Sequence, residues 1–435
     1  MKRLIRGGTV VTLDDADRVL EPGIVVFDDN IISYVGQPDG YTPTGDEEVL
    51  LAEDQVILPG LVNTHTHSCM ALFRSSADDV PLGEWLPRYL YPMERQTTPD
   101  DLYWAAVLGC CEMLANGITT TADRFSHMSV QAEGIAATGI RAVLGATLTD
   151  ARRDQQQADA LALLDRWGTA PESRIRAALA PHATETCGPE LLRWIRRIAD
   201  ERDAQIYIHL AQSREEVADV AAHHGIGGCA RYLDRHGMLG PDVIAAHCVY
   251  VDDEEVDILA RTGTRVAHCP VSNVKIEARM APVPAMVRAG VVLGLGTDCA
   301  ASNNGMDLFS EMKCAGLLNK LATGDPTFLQ AARLLRLATT EAARVLGMDH
   351  LVGSLTVGKR ADLIALDRDA LHLAPWNDLY GTLVYAARGA DVRHVFVDGR
   401  AIVLDRRLLS VDAAELAQRL TTIGARLRDL ASRRR

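Results

Sequence analysis

Two histidines one residue apart, His65 and His67, end the apolar run Val56-Ile57-Leu58-Pro59-Gly60-Leu61-Val62-Asn63-Thr64. Alternate side chains of an extended chain share a face, so both imidazoles can aim at one ion. Neutral imidazole suits zinc and iron, and two ligands cannot close such a site, so the others must come from farther along the chain. Three later apolar runs stop at metal-competent side chains: Ile206-Tyr207-Ile208 at His209, Val243-Ile244-Ala245-Ala246 at His247, and Val291-Val292-Leu293-Gly294-Leu295-Gly296-Thr297 at Asp298. Imidazoles in that number do not suit an oxygen-seeking ion such as magnesium. Two further runs end at His182 and His268. His182 reads as a substrate contact, His268 as a structural residue hydrogen-bonded beneath the rim. Cys299 is placed to line the pocket, with nothing nearby in sequence to activate it as a nucleophile.

The elements that must position these residues alternate. Strand-length apolar runs fall at 56–62, 118–122, 140–145, 175–180, 205–209, 242–247, 264–268 and 291–296, and helical patterns follow most of them, including Asp100 to Asn116, Pro189 to Arg202, Asp252 to Thr262 and Met306 to Leu321. Eight such units predict a (β/α)8 barrel of the TIM type over 59–349, in which reactive residues belong just after the strands. An open doubly wound sheet is the alternative, but no Gly-x-Gly-x-x-Gly turn follows the first strand. Short alternating strands with Gly and Asp turns near both ends predict one small composite β-sandwich domain from 1–58 and 350–408, since neither set is large enough to be stable separately. Residues 409–435 read as a charged C-terminal helix.

A net charge of −13 disfavours a nucleic-acid partner, which needs cations to replace counterions. The chain has no apolar run of membrane-spanning length, no signal-peptide pattern at Met1 to Gly8, and nine cysteines without a CxxC pair. These features predict a soluble cytoplasmic protein acting on a small molecule.

The segments Pro59-Gly60-Leu61-Val62-Asn63-Thr64-His65-Thr66-His67, Pro81-Leu82-Gly83-Glu84-Trp85-Leu86, Tyr91-Pro92-Met93-Glu94, His209-Leu210-Ala211, Ala246-His247-Cys248, Pro270-Val271-Ser272-Asn273, Gly296-Thr297-Asp298 and Val357-Gly358-Lys359-Arg360-Ala361-Asp362-Leu363 together resemble the amidohydrolase superfamily. The likeness is to its aminohydrolase branch, with adenosyl-nucleoside and guanine deaminases and triazine hydrolases, and it covers nearly the whole chain. The resemblance implies one divalent ion, zinc before iron, on His65, His67, His209 and Asp298, with His247 and Asp298 moving protons. It implies hydrolytic deamination of an amino-substituted nitrogen heterocycle, an adenine-type nucleoside such as S-adenosylhomocysteine or methylthioadenosine first. Glu94 and His182 match positions that contact the nucleoside, the segment from Ser68 to Thr98 with Trp85 matches a loop over the pocket, and such barrels are often homo-oligomers.

The pattern breaks at Gln212, where the family carries a glutamate that ferries a proton to the ring. An amide does not titrate, so Gln212 is expected to hydrogen-bond substrate without carrying its proton. Glu215 and Glu216 read as acids at a helix start. Arg279 is expected to bring a cation near the pocket, favouring an anionic or carbonyl-rich substrate. The alternatives are a hydrolase with another leaving group, of the triazine chlorohydrolase or cyclic amide type, and a metal-binding homologue impaired in catalysis.

Overall fold

The structure is a computed structural model that describes residues 1–432. Eight parallel strands, here β1 to β8, run in sequence order around one sheet: Leu61–Thr66, Ile118–Phe125, Arg141–Leu148, Ile175–Pro181, Ile206–Leu210, Val243–His247, Arg265–His268 and Leu293–Leu295. The sheet closes where Thr66 bridges Asp298, whose N–H donates to the His65 carbonyl at 3.0 Å. That closure brings the residue after β8 beside the two histidines of β1.

The expected first strand, 56–62, divides in two. Gln55–Pro59 leaves the barrel and pairs antiparallel with Leu363–Asp367 and in parallel with Thr9–Val11, while β1 starts at Leu61. Both halves are fully buried and apolar, so hydrophobicity alone cannot separate them. Gly60 lies between them where a Cβ would meet Thr119 Oγ1 at 2.1 Å, so no other residue lets β1 and β2 approach so closely.

Gln55–Pro59 belongs to a seven-stranded sheet drawn from both ends of the chain. A four-stranded sheet of Lys2–Arg6, Ile24–Asp28, Ile31–Gly36 and Glu48–Leu51 faces it, and Ile5, Val25, Phe27, Ile57, Leu363 and Phe396 fill the space between. These two sheets are the β-sandwich joined to the barrel. Small residues such as Ala122, Ala178, Ala246 and Ala267 line the barrel interior around Val62, Tyr207 and Ile244.

The helices start where their caps dictate. Thr98 and Asp101 cap the helix Pro99–Ala115 reciprocally, and Asp252 with Glu255 does the same for Asp253–Thr262. The terminal helix runs Ala413–Ser432; residues 409–412, expected within it, form a bend before it, and 433–435 lie outside the described residues. No helix of the described residues is long and apolar enough to cross a membrane.

Candidate active site

β1, β5 and β6 and the turn after β8 deliver five side chains to one point at the mouth of the barrel. Nε2 of His65 and of His67 lie 3.6 and 3.4 Å from Asp298 Oδ1, and Nε2 of His67 lies 3.3 Å from Nε2 of His209. Candidate ligand atoms of His65, His209 and His247 lie within 4.8 Å of one another, as do those of His65, His67 and Asp298. The backbone is bent to allow this: His247 and Asp298 have φ of 75° and 54°. Non-glycine residues in that region are strained and concentrate at functional sites.

The electrostatics suit a cation. Burial pushes His65 down to about 3 and His67 to about 4, and lowers His209 and His247 as well, so the imidazoles are neutral and their lone pairs are free to bind. Burial works the other way on Asp298, but the adjacent His65 and the other imidazoles around it hold its carboxyl far below the usual carboxylate range. The buried Nε2 atoms of His65 and His247 have no hydrogen-bond partner among the described residues. Convergent lone pairs on imidazole nitrogens with one carboxylate oxygen are the donor set of zinc and iron, so these residues fit a divalent ion.

Above them opens a cavity of about 800 Å³ whose walls include Trp85, Glu94, His182 and Gln212. Trp85, Leu86 and Leu90, from the segment after β1, cover it; Tyr89 does not reach it. Burial raises the carboxyl of Glu94 above its ordinary value, opposed by Arg152, His127 and Arg95. His182 is pushed down to about 3 by burial and Arg124, and its Nδ1 pairs with Thr186 Oγ1 at 3.0 Å. Cys299 lines the wall, but burial drives its thiol up to about 12, so it is no nucleophile.

A profile of the amidohydrolase family matches residues 56–402. The chain belongs to the amidohydrolase family. It is therefore a hydrolase, and metal-assisted chemistry is what the amidohydrolase barrel mouth offers. It is 40% identical over 425 residues to a 5-methylthioadenosine/S-adenosylhomocysteine deaminase of Moorella thermoacetica, covering 97% of this chain and 98% of that one. The solved structure of an adenosine deaminase from Xanthomonas campestris with bound zinc superposes with a TM-score of 0.93 at 35% identity, covering 98% of each chain. A triazine hydrolase from Arthobacter aurescens superposes with a TM-score of 0.90 at 25% identity, covering 97% of this chain and 99% of that one.

Two expectations for this amidohydrolase need correcting. Arg279 does not line the cavity: it is exposed and stacks on the Tyr250 ring at 4.9 Å. His268 is buried as expected, but neither ring nitrogen has a hydrogen-bond partner among the described residues.

Sequence reasoning missed other wall residues. Glu216 is buried, accepting from Thr184 Oγ1 at 2.6 Å and from the Gln212 N–H at 2.7 Å, which ties the loop after β4 to the loop after β5. Burial and the adjacent Glu216 push Glu185, on the same cavity wall, up to about 8. Arg124 of β2 is wholly buried against His209. Arg124 lies beyond the expected strand 118–122, and only the three-dimensional contacts show its role.

Proposed function

We propose that this amidohydrolase deaminates an adenine-type nucleoside carrying a small or extended 5′ substituent, with methylthioadenosine and S-adenosylhomocysteine the first candidates. The observation that carries this reading is the Glu94 side chain: it faces the same cavity as the histidine and aspartate cluster, suited as a carboxylate to accept from a pair of ribose hydroxyls. The 40% identity to a methylthioadenosine and S-adenosylhomocysteine deaminase supports the same substrate class. A cytoplasmic setting belongs to this reading, because all nine cysteines are free and eight are buried.

His65, His67, His209 and Asp298 would hold one divalent ion, zinc or iron, and such an ion when bound makes water acidic enough to attack at neutral pH. His247 keeps its Nδ1–H on Asn273 Oδ1 at 2.8 Å, which leaves Nε2 with a lone pair beside the His65 and His209 cluster. Asp298 stays ionised and takes a proton from the attacking water. One water proton ends on the ring nitrogen and the other on the amino group; the C–N bond breaks, and a ring carbonyl and ammonia result. The Gln212 amide can hydrogen-bond the ring nitrogen without supplying its proton. His182, neutral and fixed by Thr186, offers a polar contact to the heterocycle. Leu86, Leu90 and Trp85 keep bulk water from the ring.

The test is ammonia release by the zinc- or iron-loaded protein from adenosine, methylthioadenosine, S-adenosylhomocysteine and 5′-deoxyadenosine, followed with the change of adenine to hypoxanthine absorbance. Ammonia from at least one, lost on chelation and restored by the ion, is expected; no ammonia from any overturns the reading. Gln212 and the likeness to a triazine hydrolase favour one second reading, displacement of a different leaving group from an aromatic ring, in which ring protonation matters less.

A further inference from the structure

Arg124 touches the cluster from behind. Its side chain, 1% exposed, crosses from β2 beneath the mouth of the barrel. Nη2 donates to the carbonyls of Ala180 and Pro181, both at 3.1 Å, and Nη1 to that of His182 at 3.1 Å. Nη1 also lies 2.9 Å from Nδ1 of His209. A guanidinium has donors only, so this contact assigns Nδ1 of His209 as the acceptor.

His67 Nδ1 lies 2.6 Å from the carbonyl oxygen of Arg124, which can only accept, so His67 carries its hydrogen on Nδ1 and has a bare Nε2. His209 instead meets a donor at its second nitrogen, the Arg124 guanidinium at Nδ1. His67 follows the usual pattern of a ligand histidine, whose second nitrogen donates to a carbonyl and makes the ring a better donor to the ion. His209 reverses it.

We propose that Arg124 sets the affinity of the metal centre by making His209 its weakest ligand. An ion on Nε2 of His209 requires the ring hydrogen on Nδ1, and there it would meet the N–H of Arg124 rather than an acceptor. In addition, the guanidinium draws electron density from the ring and holds a positive charge beside the cation. Partners of ligand histidines of this kind change metal affinity by roughly 10- to 100-fold. Arg124 is a positioning residue here: it acts on the ion through His209. The inference rests on the ligand set proposed above.

The experiment compares zinc affinity of the full chain, stripped by chelator and titrated in competition with a chromophoric chelator, in the wild type and in Arg124→Met, Arg124→Gln and Arg124→Lys. Cobalt loading, read by its visible absorption bands, reports the coordination of each. The neutral variants are expected to bind zinc about tenfold tighter or more, and Arg124→Lys, which keeps the charge, to stay near the wild type. Arg124→Gln keeps amide donors for the carbonyls of Ala180 and Pro181, so it carries the test should Arg124→Met fail to fold. Neutral variants that fold and bind zinc no tighter than the wild type overturn the inference, and so does failure of both to fold, since the guanidinium would then serve the fold. A wild type that binds no stoichiometric zinc sinks the ligand set itself, a result distinct from the other two.

Discussion

Ser272 Oγ donates to Asp298 Oδ2 over 2.5 Å, and Ser302 Oγ reaches the same oxygen at 2.8 Å. The residue after Ser272 is Asn273, which accepts from His247 Nδ1. One turn at the start of the helix Pro270–Glu277 therefore orients both groups assigned to proton transfer, and leaves Asp298 Oδ1 toward His65 and His67. Ser272→Ala should lower kcat by about 10- to 100-fold with little change in KM. Steady-state kinetics at matched metal content checks this, and Ser272→Thr, which keeps the hydroxyl, should recover most of the loss. An unchanged kcat in the alanine variant would show that Ser302 alone suffices.

Gln212 stands on the cavity wall with its backbone fixed by Glu216 and its side chain free to turn to substrate. A carboxylate there could carry the proton that an amide cannot, an effect worth roughly 100- to 10,000-fold in rate when such a group is well placed. Gln212→Glu is expected to raise kcat/KM for ammonia release at least tenfold. A variant that only loses activity would mean that the ring nitrogen of the natural substrate needs no proton from this wall.

The metal-competent residues were legible because each ends a strand and the barrel sends every strand end to one mouth. His65, His67, His209, His247 and Asp298 could thus be grouped from apolar runs alone, and the structure brings all five together. Residues whose meaning lies in long-range contacts were not legible. Glu216 has the sequence look of a helix-start acid, yet it is buried and clips two loops. Arg279 has the look of a pocket cation, yet it is exposed, stacked on Tyr250 and absent from the cavity wall. The border between sandwich and barrel was hidden for a related reason: Gln55–Pro59 and Leu61–Thr66 bury both faces, so neither shows the alternation that marks a half-exposed strand.

The barrel is fastened to the terminal sheet by a buried ion pair. Arg141, at the start of β3 and fully enclosed, donates from Nε to Asp362 Oδ2 at 2.8 Å and from Nη2 to Asp362 Oδ1 at 3.0 Å, and it also reaches Asp398. Removing one partner strands the other charge away from water, at a cost of about 3–5 kcal/mol. Arg141→Met and Asp362→Leu should each lose stability on that scale in denaturant titrations. The double variant should lose less than the sum, because no unpaired charge is left inside. Additive losses would mean that the two residues do not act as a pair.

Glu311 offers a pH test of the fold independent of catalysis. It is wholly buried in the helix Leu308–Thr323, and its carboxyl accepts from the Val271 N–H and from Asn303, with no salt-bridge partner among the described residues. Burial pushes the carboxyl up to about 8, with Asp298 and Asp307 adding to the shift. The folded chain therefore holds this proton more tightly than the unfolded chain, whose glutamates ionise near 4.3. The stabilisation is complete below that value and declines as pH rises toward 8, with a slope of at most about 1.4 kcal/mol per pH unit from this one group. Glu311→Gln has no proton to lose, so its stability should fall less steeply than that of the wild type between pH 5 and 8. Denaturant titrations across that range measure the difference, and parallel curves for the two proteins would mean that Glu311 is already ionised in the folded chain.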